Sequence, residues 1–291
     1  MSKKTLKINN KSDKPNNIVL KEHELIEKCI SFENKLPPFM KDYFIYLKGS
    51  VAVSTRSAYL EDICFFCDYI VNETELSNAK STEEITLEEF NNIKARDVNL
   101  FLGDYCPRYY RERNSTTLIY ENNNRALARK KSSISTLFKF LYRNEQLDNN
   151  ITDGFNPIKL PKPQPDAIKR LDIDEVAKML DAVESGQGLT DKELIYWEKT
   201  KLRDKAILAL FVTYGLRLNE LRELNISSFN FSRGEFKIYR KRGKEVLMPI
   251  NKTCEYVVKD YIYHERPNSE LLNEEVKDAL FLSLQKKRLT P

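Results

Sequence analysis

Apolar positions recur every three to four residues through most of this chain, and that spacing predicts helices. From Thr55 to Ile70 (TRSAYLEDICFFCDYI), Tyr59, Ile63, Phe66 and Ile70 fall on one face, with Ser54 or Thr55 placed to cap the start. From Thr86 to Tyr105, Leu87, Phe90, Ile93, Val98, Phe101 and Leu102 repeat at helical spacing. Another strong helix starts at Asn124 and carries RALARKKSSISTLFKFLYRN, with Leu127, Ile134, Leu137, Phe138 and Leu141 as its apolar stripe. Residues 18–33 can form one short helix. Residues 1–17 are mostly Lys, Asn and Ser and read as a disordered arm.

The pattern changes after Asn156. Pro157, Pro161, Pro163 and Pro165 place four prolines in nine residues. Proline fixes φ and removes a donor, so this stretch predicts an extended, semi-rigid linker. A second region opens near Leu171. Asp172 or Asp174 can cap DEVAKMLDAVES, and a longer helix runs to Tyr214. Two strand-like runs within Phe236–Ile250 flank a Lys/Arg/Gly turn. Thr253–Arg266 reads as helix and Leu280–Ser283 as a short strand or the entry to a turn. Lys286, Lys287 and Arg288 then close the chain with no packed element after them. The reading is a mainly α protein with one small antiparallel β-sheet. Its segments are 1–33 (arm and short helix), 34–155 (an all-helical domain), 156–165 (linker) and 166–291 (a second domain).

A length of 291 residues suits two domains with separate cores. The net charge of +5 and a sequence pI near 8.7 permit nucleic-acid binding without demanding it. No apolar run approaches the ~20 residues of a membrane span. Five cysteines, an odd count, and no signal peptide point to a reducing cytoplasm. Cys64 and Cys67 form a CxxC, but no second ligand pair accompanies them, so they read as core cysteines and no metal is expected. No glycine-rich phosphate loop and no nucleophile elbow occur, and no cofactor is expected.

The candidate chemistry lies in two stretches. Thr213–Leu221 reads TYGLRLNEL: a helix ends at Gly215, and Arg217 stands where the next begins. A guanidinium there can fork two hydrogen bonds onto phosphate oxygens, and Glu220 is spaced to hold it. Lys241 follows 24 positions after Arg217, on the hairpin turn with Arg240, Arg242 and Lys244. A lysine there can reach a DNA groove and give a proton to a leaving oxygen. Arg125, Arg129, Lys130, Lys131 and Ser132 gather opposite the apolar stripe of their helix, as phosphate contacts would. Each cluster also has a bland alternative, a solvated charged surface. His23 and His264 fall outside these motifs, His264 at the surface near a helix end.

Taken in order, these stretches resemble the tyrosine recombinase (phage integrase) family. TRSAYLEDICFFCDYI looks like the opening helix of that family's core-binding domain. RALARKKSSISTLFKFLYRN followed by NPIKLPKP looks like its last helix and linker. TYGLRLNEL matches the family's T-G-L-R-x-x-E-L box, with an additional Tyr214 before the glycine, and the distance to Lys241 is that of the family's hairpin lysine. DALFLSLQKKRLTP looks like the segment before its His-x-x-Arg box. The resemblance implies a helical, SAM-like core-binding domain followed by an integrase-type catalytic domain.

It also implies an enzyme that cuts and rejoins DNA through a 3′-phosphotyrosine. Arg217 would stabilise charge on the phosphate, Glu220 would support it, and Lys241 would be the general acid. Double-stranded DNA with inverted-repeat core sites would be the partner, bound by a homo-tetramer of the full-length protein. The chain departs from the family after Lys241. No His-x-x-Arg pair follows, and Tyr256, Tyr261 and Tyr263 come before the point where it would stand. The expectation is a C-terminally truncated recombinase, monomeric, that binds DNA and does not cleave it. The alternative is a non-catalytic DNA-binding protein derived from the same fold.

Overall fold

The computed structural model describes residues 14–162, 170–240 and 244–290. Within the bounds Leu20–Gln164, and within Met1–Val19 together with Pro165–Pro291, the described residues form two compact units.

Helices α1 (Asn16–Glu33), α2 (Lys41–Ser50), α3 (Val53–Glu73), α4 (Leu87–Asn91), α5 (Ala95–Leu100) and α6 (Asn124–Arg143) supply the first unit. The apolar face read from the sequence of α3 is the centre of its core. Leu60, Ile63, Phe66, Cys67 and Ile70 are each 1% exposed or less. Burying a side chain the size of Phe66 contributes on the order of 2–3 kcal/mol. Opposite them, Ile134, Leu137, Phe138 and Leu141 of α6 close the core, with Phe138 stacked on Phe90 of α4 at 4.9 Å. Both CxxC thiols are buried. Loss of solvation pushes the Cys64 thiol up to about 12 and raises Cys67 as well.

Three local expectations for this unit change. Helix α3 starts at Val53, after Ala52, so neither Ser54 nor Thr55 is its cap. The run from Thr86 to Tyr105 is not one helix. Thr86 and Glu89 form a capping box for α4, which stops at Asn91, and the Asp97 carboxylate takes the Lys94 amide at 2.8 Å to begin α5. The unit is also not all helical. Strands β1 (Arg108–Arg113) and β2 (Thr116–Glu121) pair antiparallel, Tyr109 opposite Tyr120. Asn114 and Ser115 turn the chain with φ of 49° and 60°, the left-handed pair a two-residue hairpin needs. Tyr109 stacks on Tyr120 and lies 4.7 Å from Phe65, which fixes the hairpin to α3.

The second unit holds α7 (Ile173–Ser185), α8 (Asp191–Trp197), α9 (Lys201–Tyr214), α10 (Leu218–Arg222) and α11 (Lys252–His264). Its sheet runs β3 (Phe229–Asn230), β4 (Glu235–Tyr239), β5 (Glu245–Pro249), in that order and antiparallel throughout. Asp172 rather than Asp174 caps α7. Leu210 of α9, Leu221 and Leu224 around α10, Phe236 and Ile238 of β4, and Val258 and Tyr261 of α11 form the core with Leu280 and Phe281. The C-terminal basic residues do not trail off. The Arg288 guanidinium donates to the carbonyls of Arg222 (2.9 Å) and Leu224 (3.0 Å) and to the Asn225 side chain. Asn17 does not belong to a loose arm either: its amide donates to Glu223 at 2.8 Å, and Asn225 donates back at 2.9 Å. Residues 1–13 of the expected arm, and linker residues 163–165, lie outside the described residues.

Candidate functional site

Helix α9 ends because Gly215 turns left-handed, with φ of 57°, and its amide closes the last turn on the Phe211 carbonyl at 2.9 Å. No neighbouring atom crowds the place of a side chain there, so the glycine is required by its φ rather than by space. Leu216 then drops into the core and Arg217 takes the extended conformation at the N-terminus of α10. Glu220 reaches back from the first turn. Its Oε2 accepts the Arg217 amide at 3.0 Å and its Oε1 accepts the Arg217 guanidinium at 2.7 Å. The exposures differ sharply: the Arg217 side chain is 66% exposed, the Glu220 side chain 5%. The carboxylate thus fixes one edge of the guanidinium from below and leaves the remaining N–H groups facing solvent.

The residue that follows β4 brings a third charge. Arg240 Nε lies 3.8 Å from the same Glu220 Oε1, with its side chain 42% exposed. Burial alone would raise the Glu220 carboxyl. The Arg217 amide and guanidinium, and then Arg240, outweigh it and hold the group below the ordinary glutamate range. Arg240 and Lys244 face each other at the base of the turn, Arg240 N–H donating to the Lys244 carbonyl at 2.8 Å, and Lys244 is exposed. Lys241 and Arg242 lie outside the described residues.

Tyr214, the extra aromatic before the glycine, has a clear task. Its hydroxyl accepts the Asn251 amide at the start of α11 at 2.8 Å, and its ring meets Phe236 of β4 edge-on at 5.0 Å. One side chain therefore ties the end of α9 to the hairpin and to α11. The sequence flagged Tyr214 as unusual but gave it no partner, because Asn251 is 37 residues away.

The basic helix α6 divides. Arg125 and Ser132 are exposed, as are Lys139 and Arg143. Lys130, expected among the outward phosphate contacts, is buried instead: Nζ lies 3.1 Å from Asp62 Oδ1 and 4.8 Å from the Phe65 ring. Arg129 binds the other Asp62 oxygen, where Ser133 Oγ also donates at 2.8 Å. Lys131 donates to the carbonyls of Phe155 (3.3 Å) and Asn156 (2.8 Å), holding the start of the linker. A buried carboxylate on α3 had to be matched, and α6 is the helix packed on it. Its sequence alone does not tell these cations from Arg125.

Of the three late tyrosines, Tyr261 is buried. Its phenol accepts the Leu282 amide at 3.3 Å, and burial pushes it up to about 12. Tyr256 and Tyr263 are exposed on α11. His264 is exposed near the end of α11, beside Asp260. Among the described residues no three His, Cys, Asp or Glu groups gather as a metal site, and no helix is long and apolar enough to cross a membrane.

The chain is similar to known proteins in sequence and in fold. Residues 169–291 match the Phage integrase family. A tyrosine recombinase XerC of Natranaerobius thermophilus is 29% identical over 244 residues, covering 83% of this chain and 70% of the relative. A tyrosine recombinase XerD of Haemophilus ducreyi is 25% identical over 262 residues, covering 88% and 73%. The crystal structure of XerH site-specific recombinase bound to difH substrate, a pre-cleavage complex, shares the fold. It aligns with a TM-score of 0.51 at 18% identity, over 94% of this chain and 75% of that one. Residues 169–291 thus resemble the Phage integrase family, and these curated relatives of the chain are tyrosine recombinases.

Proposed function

We propose that this chain recognises double-stranded DNA and carries part of the active site of a site-specific recombinase, working in the cytoplasm. One observation carries the reading: Arg217 is two-thirds exposed yet held at its amide and guanidinium by a buried carboxylate. A guanidinium fixed in this way keeps its free donors aimed outward, as binding a phosphate requires. Arg240 and Lys244 add positive charge beside it, and Arg125 and Ser132 supply phosphate contacts from α6.

In the reaction of such a recombinase a tyrosine oxygen, its proton lost to solvent, forms a bond to phosphorus while the bond to the 5′ oxygen breaks. The leaving oxygen takes a proton from Lys241, in the role the motif assigns to it. Arg217 stabilises the added negative charge, and Glu220 holds Arg217. The full protein would act as a homo-tetramer on inverted-repeat core sites. We assign no nucleophile among Tyr256, Tyr261 and Tyr263, so this polypeptide is proposed to bind DNA and to form no covalent adduct.

The test is a nicked duplex that traps covalent intermediates, resolved on a denaturing gel beside a binding titration. Salt-dependent binding with no covalent band is the expected result. A protease-sensitive shifted band would show that one of these tyrosines is a nucleophile. Absence of any salt-dependent binding would remove the DNA reading itself.

A further inference from the structure

We propose that Arg240 is a positioning residue that ties the basic hairpin to Glu220, and through that carboxylate to Arg217. Glu220 Oε1 is the shared atom, 2.7 Å from Arg217 Nη1 and 3.8 Å from Arg240 Nε. Glu220 Oε2 is occupied by the Arg217 amide at 3.0 Å. The side chain is 5% exposed, so both oxygens draw their compensation from these donors rather than from water. A separation of 3.8 Å is too long for a hydrogen bond and short enough for an ion pair. Arg240 is therefore held by charge, with room to tighten onto the carboxylate.

The backbone of Arg240 makes this contact consequential. Its amide donates to the Lys244 carbonyl at 2.8 Å, which closes the base of the turn that begins with Lys241. The ion pair to Glu220 therefore acts on the residue that joins the two strands by this hydrogen bond, beside the Arg217 corner. In the same hairpin, Lys237 and Tyr239 both meet Glu245 across the two strands. Glu220 also solves an electrostatic problem, since two guanidiniums would otherwise repel each other. With it they stand together, ready for a phosphate. The tie exists in the free protein; only its consequence for DNA rests on the function proposed above.

The experiment compares wild type with Arg240→Ala, Arg240→Lys, Arg217→Ala and the double Ala variant. NMR of the free protein follows the Glu220 carboxyl carbon and the Arg217 Nε–H. A cooperative melting transition establishes that each variant is folded. We expect Arg240→Ala to move both signals and Arg240→Lys to restore the Glu220 signal in large part. On duplex DNA, the double variant should lose about threefold less affinity than the product of the two single losses, as for residues sharing a partner. Signals that stay in place in Arg240→Ala, or losses that simply multiply, would overturn the tie and leave Arg240 an independent phosphate contact. If no form of the protein binds duplex DNA, the DNA reading fails and the free-protein spectra alone decide the tie.

Discussion

Each unit of this protein contains a buried carboxylate flanked by two cations, and the two clusters differ in where those cations face. Asp62 is fully buried. It takes Lys130, only 10% exposed, the Ser133 hydroxyl and Arg129, which is 44% exposed. Glu220 is nearly as buried, but its partners Arg217 and Arg240 are 66% and 42% exposed. The first cluster spends charge on joining α3 to α6. The second holds guanidiniums at the surface with donors to spare. A buried acid beside a basic pair is thus not by itself a sign of function; Lys130, sealed against Asp62, is a strut, whereas neither cation on Glu220 is buried.

This contrast is most easily broken at Asp62. Replacing it with Ala leaves Lys130 buried without its counter-charge. That should cost about 3–5 kcal/mol of the first unit's stability, read by denaturant unfolding. A loss near zero would mean that Lys130 escapes to solvent and the strut is not real. Next in size, Arg217→Ala should cost about 1–3 kcal/mol, because Glu220 loses the guanidinium at 2.7 Å but keeps the Arg217 amide and Arg240. It should also weaken duplex binding roughly ten- to a hundredfold, the value of losing a hydrogen bond to a charged group. A drop as large as that of Asp62→Ala would place Arg217 among the struts.

How much of this was visible in the sequence depended on distance along the chain. The stripes of α3 and α6 and the Arg217–Glu220 pair were legible because helical spacing puts their members within one or two turns. The β1–β2 hairpin was missed although Tyr109, Tyr110, Leu118, Ile119 and Tyr120 flank an Asn-Ser turn. That turn is a weaker signal than Asn-Gly, and the helical pattern on either side outweighed it. The roles of Lys130 and Lys131 were not legible. Their partners, Asp62 and the Phe155–Asn156 carbonyls, come from other segments, and a run of cations reads the same whether it faces water or a buried acid. Arg240's place beside Glu220 was hidden for the same reason.

Acid titration sharpens the comparison with a smaller effect. Glu220 is held below the ordinary glutamate range in the folded protein, so it contributes stability at neutral pH. That contribution is fully present above the unfolded value of about 4.3 and fades as pH falls through the lower folded value. Stability measured against pH should therefore fall across this acid window in wild type and flatten in part in Glu220→Gln. Identical curves would show that the carboxylate is not engaged as described. The smallest expected change separates two neighbours on α6. Arg125→Ala should lower the salt dependence of DNA binding by about one unit, whereas Lys131→Ala, already bonded to Phe155 and Asn156, should leave it unchanged.

The most direct measurement is the dependence of duplex affinity on salt in three forms: wild type, a variant with Arg217, Arg240 and Lys244 all replaced by Ala, and Lys130→Met. In wild type, log K should fall linearly with log salt concentration. The triple variant should lose about two to three units of that slope, roughly one for each phosphate contact removed. Lys130→Met should keep the wild-type slope, because its ammonium faces Asp62. A triple variant with an unchanged slope, or a Lys130→Met variant that loses as much, would contradict the assignment of the exposed Glu220 cluster to DNA and the buried Asp62 cluster to the fold.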